Sequence, residues 1–162
     1  MEKRPKIEIK LTQTDKFLEA IGYLMLVIFW IMTIVSFSSL PESIPIHYNG
    51  LGEVDNYGNK TSIFILPIIA TFLFAFLTLL NKNPENFNYN VEINEGNAEK
   101  QYTNSTKMMR LMKLVVVFIF LMIDYMTIQT SKGNSEGLGI WFMPLTLGLI
   151  FIPLAYFAYK SR

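Results

Sequence analysis

The chain has 162 residues, 51% of them hydrophobic and 14% aromatic, with a mean hydropathy of +0.32, too apolar for an ordinary soluble domain of this length. It contains no cysteine, which excludes disulfides, thiolate metal sites and cysteine nucleophiles and leaves the redox compartment open. The formal charge of +1 conceals a sorting: apolar residues gather in four blocks, and the charges fall in the connections between them.

Residues 1–16 are polar and basic, with Lys3, Arg4, Lys6, Lys10 and Lys16. From Lys6 to Leu11 charged and apolar residues alternate, the period of a half-buried strand, although an unstructured tail has the same composition. Residues 20–41 then pass without a charge. About 22 residues at ~1.5 Å each are enough to cross a hydrocarbon core of ~30 Å. Secretory h-regions run only about 7–15 residues, so this block reads as an uncleaved span.

Residues 40–60 join the first two blocks and hold the only histidine, His47. Turn formers crowd this loop: Pro41, Pro45, Gly50, Gly52, Asp55 and Gly58. Gly50, Gly52 and Gly58 suit positive φ, Asp55 and Asn56 suit Asx-type turns, and the prolines hold the entry extended, so a rigid, hairpin-like connection is expected. His47, Asn49, Gly52, Glu53, Asp55, Gly58 and Lys60 are the loop's candidate binding residues. One imidazole and two carboxylates suffice for zinc in principle, but the spacing matches no metal motif, and no metal or cofactor is expected.

The second span covers 61–81 with one kinking residue, Pro67. The inner segment 82–110 is polar. Within it Tyr89 to Ile93 alternate like a strand, and this run is expected to pair with residues 7–11 in a two-stranded sheet. Asn94 is a good N-cap, with Glu95 in the first turn. Ala98, Tyr102, Ser105, Met109 and Met112 then share one helix face that runs directly into the third span, 111–131. The fourth span, 137–159, carries Pro144 and Pro153, read as packing kinks.

Lysine and arginine counts set the orientation. The N-terminal segment, the 82–113 stretch and the C-terminal tail hold twelve, whereas the other two connections hold only Lys60 and Lys132. That bias predicts both termini and the 82–110 segment in the cytoplasm and the 40–60 loop outside. The chain therefore reads as a single all-α integral membrane domain, residues 1–162, with four transmembrane helices and a small outer loop.

Asp124 is the only ionisable residue deep within a span. A central aspartate costs ~2.5–3.5 kcal/mol on insertion scales, so it should face the bundle or a wet cavity. It lies about seven residues, or ~10 Å, below the outer end of its helix. Lys60 is the expected partner, because its long stem can lie on apolar surface while its head reaches inward. The alternatives are His47, if the loop folds down, and a Tyr or Thr hydroxyl, if Asp124 is protonated. Glu19 sits at a membrane edge, next to the basic tail, and is expected to need no function.

No HExxH, GxSxG, P-loop or GxGxxG sequence occurs, so no catalysis is expected. The run Leu40-Pro41-x-x-Ile44-Pro45-x-His47-x-Asn49-x-x-Gly52-x-x-Asp55-x-x-Gly58-x-Lys60 resembles the signature of a family of bacterial membrane proteins. That family shares the N-terminal domain of unknown function of SdpI-type toxin-immunity proteins. Residues 88–102 resemble a segment that often follows in stand-alone members, usually with proline where Asn90 stands. The resemblance implies a plasma-membrane protein without known catalysis. Its SdpI-type members, which carry further spans, protect their producer from a secreted peptide toxin and hold a repressor at the membrane. Two functional expectations follow. One is a non-catalytic binding, signalling or immunity-like component that uses the outer loop to meet a peptide toxin or a protein partner in the bilayer, with no role for nucleic acid. The other is a small ion-coupled transporter using Asp124 and His47.

Overall fold

The structure, a computed structural model, describes residues 4–162. Lys3, counted in the charge bias, lies outside the described residues. Helix α1 is Gln13–Phe37, β1 is Ser43–Tyr48, β2 is Val54–Asn59, α2 is Ile65–Leu80, α3 is Ala98–Ser131 and α4 is Phe142–Lys160. A 3-10 turn, Lys60–Phe64, leads into α2, and the four helical segments Gln13–Phe37, Lys60–Leu80, Ala98–Ser131 and Phe142–Lys160 are long and apolar enough to cross a membrane.

Helix α1 starts seven residues before the uncharged block because a capping box opens it. Thr12 Oγ1 accepts from Asp15 N at 3.2 Å, and Asp15 Oδ2 accepts from Thr12 N at 2.8 Å. At its other end the helix stops at Phe37, before Pro41, whose ring clashes with a continuing helix. Pro67 is the third residue of α2 and Pro144 the third of α4, positions where an N–H would have no intrahelical partner; only Pro153 lies inside its helix.

The hairpin pairs antiparallel, Ser43 opposite Asn59 and Tyr48 opposite Val54, with register shifts on either side of His47. Its 49–53 loop closes on Asn49, whose Oδ1 accepts from Leu51 N at 2.9 Å and Glu53 N at 3.1 Å. Of the three loop glycines expected at positive φ, only Gly52 is there, at 79°. Gly58 answers a packing need instead, since a Cβ would stand 2.9 Å from Ile46 Cδ1. Ile44 points down from β1 into a cluster with Leu40, Ile63 and Ile128, which seats the hairpin on the ends of α1, α2 and α3.

Helix α3 is the spine. Its 34 residues extend about 51 Å, and α1, α2 and α4 all pack on it. Leu26, Phe29, Ala70, Phe74 and Val117 fill the middle of the α1–α2–α3 bundle. Gly22 admits the Phe74 ring there, for a Cβ would lie 2.5 Å from Phe74 Cε2. Helix α4 leans chiefly on α3 and leaves Phe151, Ile152 and Tyr156 exposed. Gln101 Nε2 donates to Ser161 O at 2.9 Å and Asn104 Nδ2 to Lys160 O at 3.4 Å, so α3 side chains serve the last carbonyls around the end of α4.

At the end away from the hairpin two expectations change. Residues 7–11 and 89–93 form no ladder. Ile7 and Ile9 do turn inward, onto Ile93, Ala98 and Tyr102, so the alternation marks a packed face without a sheet. Side chains fasten the backbone beside these runs: Arg4 Nη1 donates to Phe87 O at 2.7 Å, Tyr102 Oη to Pro5 O at 3.0 Å and Asn97 Nδ2 to Glu92 O at 2.8 Å. A lone two-stranded pair is marginal, and packing on Ile93, Ala98 and Tyr102 holds the inward isoleucines without one. Likewise Asn94 is not the N-cap. Its Oδ1 accepts from Gly96 N at 3.0 Å in a separate turn, and α3 begins at Ala98, with Glu99 as the acid of its first turn.

Candidate functional site

Beneath the hairpin lies a pocket of about 290 Å³, bounded by β1, the entry to α2 and one face of α3. Its walls are largely apolar, with Ile44, Ile46, Ile63, Ile65, Leu66 and Ile123. Its polar groups are few. Tyr48 Oη and Thr127 Oγ1 share a hydrogen bond at 2.9 Å, and Asp124, only 1% exposed, also lines the pocket. Burial pushes the Tyr48 phenol above its ordinary range, which keeps it a neutral donor.

Asp124 Oδ2 accepts from Thr33 Oγ1 at 2.8 Å, joining α1 to α3. Its other oxygen, Oδ1, has no hydrogen-bond partner among the described residues. The expected partner Lys60 does not reach it. Lys60 Nζ pairs with Glu42 Oε1 at 2.7 Å and lies 5.3 Å from the centre of the Phe37 ring, because the 3-10 turn that starts at Lys60 holds it beside β1. Of the expected partners, only a hydroxyl, Thr33 Oγ1, bonds it among the described residues.

The remaining loop candidates stand apart from this pocket. His47 Nδ1 lies 2.6 Å from Asp55 Oδ1 across the strands, on an exposed face, and does not line the Asp124 pocket. Asn49 Nδ2 donates to Glu53 Oε2 at 2.8 Å. Gly52 sits where the hairpin tip meets the α3–α4 loop: its carbonyl accepts from Leu138 N at 2.8 Å, and a Cβ on it would stand 2.5 Å from Gly139 O. Gly58 lies under Ile46. Among the described residues no three His, Asp or Glu side chains gather as a metal site.

A second polar cluster occupies the bundle end away from the hairpin. Lys113 Nζ donates to Glu19 Oε1 at 2.9 Å, Glu19 Oε2 at 2.7 Å and Thr78 Oγ1 at 2.7 Å. Arg110 Nη1 lies 3.4 Å from Asp15 Oδ1, and Arg110 Nε lies 3.4 Å from Glu19 Oε1 without the alignment of a hydrogen bond. Two carboxylates face two cations, and the Lys113 ammonium also lies 4.4 Å from the centre of the Phe74 ring. Glu19, expected only to sit at a membrane edge beside the basic tail, is instead bonded to Lys113, and Arg110 and Lys113 are buried partners of α1. Spacing carried a signal, since Asp15 and Glu19 are four apart and Arg110 and Lys113 three apart, each pair on one helix face. Thr33, Tyr48 and Thr127 gave no such signal, as hydroxyls in apolar runs are common and only the tertiary arrangement brings these three to Asp124 and its pocket.

Residues 24–71, from within α1 through the hairpin into α2, match a family model described as "Domain of unknown function (DUF1648)". An uncharacterized protein of Archaeoglobus fulgidus is 29% identical over 72 residues, which are 44% of this chain and 39% of that relative. The chain therefore spans well under half the length of that curated relative. No solved structure matches.

Proposed function

We propose that the chain is a non-catalytic protein of the plasma membrane, with both termini cytoplasmic and the hairpin outside, that recognises a ligand or partner at its outer surface. The observation that carries this reading is the pocket beneath the hairpin, apolar in its walls and lined by a buried carboxylate with one oxygen unpartnered. Buried polar atoms in such apolar surroundings are the usual orienting groups of a binding site. Within this reading, the resemblance to SdpI-type proteins favours a peptide toxin or a membrane partner as the counterpart. What supports binding over ion-coupled transport is the apolar cluster of Leu26, Phe29, Ala70, Phe74 and Val117, which separates Asp124 from the charged cluster around Lys113.

Orientation is the first test. Single cysteines at Ser39 and Asn59 should react with a membrane-impermeant thiol reagent on intact cells, and cysteines at Gln13 and Asn97 should react only after permeabilisation. Labelling of the second pair alone would invert the protein and end the outer-recognition reading.

A further inference from the structure

Asp124 is short of donors. Thr33 Oγ1 carries one proton and has two acceptors in range, Phe29 O at 2.9 Å and Asp124 Oδ2 at 2.8 Å. When that proton goes to the helix carbonyl, the carboxylate has no donor from the described residues, and Oδ1 has none in either case. Nor does any cation of the described chain compensate it: Lys60 is held by Glu42, and Arg110 and Lys113 by Asp15 and Glu19. A buried carboxylate left in this state is costly, and a ligand that brings both charge and N–H donors removes the cost.

We propose that the pocket beneath the hairpin takes a primary alkylammonium group, its N–H donating to Asp124 Oδ1 and its alkyl stem lying along the isoleucine walls. The inference rests on reading this pocket as the recognition site. Three facts choose the chemistry. The walls are hydrocarbon, which fits a stem and repels a hydrated ion. The side-chain oxygens on offer are the Asp124 carboxylate and the Tyr48, Ser62 and Thr127 hydroxyls, too few for the six to eight ligands of a calcium ion; an ammonium carries only three donors, and the carboxylate and these hydroxyls have lone pairs for them. A carboxylate at the site turns anions away. At about 290 Å³ the space is at the lower edge of the range for small-molecule pockets, roughly 300–1,000 Å³. It therefore suits a short free amine or one lysine side chain of a bound peptide.

The test uses the full chain in nanodiscs, where both faces are open to solute, so failure here is distinct from a failed orientation test. Binding of n-butylammonium, n-butanol and butyrate is measured by thermal shift and calorimetric titration, alongside acetyl-Leu-Lys-Leu-amide and its norleucine analogue. The wild-type protein should bind n-butylammonium, the lysine peptide or both at least tenfold more tightly than the uncharged counterpart, and Asp124→Asn should abolish that preference. Preference for the peptide alone assigns the ammonium to a macromolecular ligand; preference for butylammonium assigns it to a free amine as well. The wild-type comparison among isosteric solutes stands even if the variant folds poorly. Equal binding of charged and uncharged probes in both series, or an amine preference that persists in a folded Asp124→Asn protein, overturns the proposal.

Discussion

Replacing Lys113 with methionine tests whether the charged cluster at the bundle end away from the hairpin is a buried, coupled unit. The Lys113 side chain is 1% exposed and Glu19 is 21% exposed, and the ammonium makes three hydrogen bonds, two to Glu19 and one to Thr78. Methionine keeps most of the apolar stem against Phe74 but leaves Glu19 with only Arg110 Nε, 3.4 Å away. Removing one partner of a buried ion pair costs about 3–5 kcal/mol. The partial exposure of Glu19 and the surviving Arg110 contact put this variant at the low end, about 3 kcal/mol. In the double variant Lys113→Met, Glu19→Leu both charges go, and Asp15 and Arg110 still balance each other. Apolar replacement of a whole pair is near neutral, so the double variant should lie within about 1–2 kcal/mol of the wild-type protein. The assay is equilibrium unfolding by SDS in mixed micelles, followed by the fluorescence of Trp30 and Trp141. A Lys113→Met loss below about 0.5 kcal/mol, or a double variant equal to the sum of its singles, would refute the idea of a coupled pair.

Thr33→Val removes the hydroxyl bonded to Asp124 at constant shape and should cost about 1–3 kcal/mol, whereas Thr33→Ser should be close to neutral; equal losses in the same SDS titration would show that the hydroxyl does not matter. Gly52→Ala forces a side chain into φ 79° and against Gly139 O. It should cost at least about 1–2 kcal/mol and speed hydrogen exchange at the Leu138 amide, which donates to Gly52 O; unchanged exchange there would mean that the hairpin tip is not fixed to the α3–α4 loop. Thr12→Ala removes the side-chain half of the capping box and should fray residues 13–15 in hydrogen exchange, at a cost of about 0.5–2 kcal/mol.

The four apolar helices were legible because crossing length and lack of charge are properties of a single segment. Their ends were less so. The Thr12–Asp15 capping box carries α1 back into a polar stretch, and the 133–141 connection takes four residues from the start of the expected fourth span along with Trp141. The hairpin was readable from its turn formers, but the reasons for its glycines were not: Gly52 is required by φ and by Gly139, whereas a Cβ on Gly58 would meet only the side chain of the exposed Ile46. The strand pair expected near the N-terminus failed for a reason alternation cannot express, since inward-facing Ile7 and Ile9 find a core without finding a ladder. Partners of buried charges were the hardest to read. Thr33 and Asp124 are 91 residues apart, and which of several hydroxyls meets the carboxylate depends on the rotation of two helices about their own axes.

The two polar clusters and the hairpin are tied by one rigid element. Helix α3 runs for 34 residues with neither glycine nor proline, so no site within it favours a hinge. Its hairpin end carries Asp124 and Thr127, the latter bonded to Tyr48 of β1. Its middle carries Lys113 and Arg110, bound to α1, and its other end carries Tyr102, bonded to Pro5 O. From Asp124 to Tyr102 is 22 residues of continuous helix, about 33 Å. A small tilt or rotation imposed at Asp124 therefore cannot be absorbed locally and must be met elsewhere along the helix. The midpoint resists, because moving α3 against α1 strains the Lys113–Glu19 bonds in a low-dielectric setting. The far end is fastened differently: Tyr102 Oη donates to Pro5 O at 3.0 Å and Ile7, Ile9 and Ile93 pack on Ala98 and Tyr102, while the exposed Arg4 and Asn97 bonds tie the covering segments to each other or within themselves and not to α3.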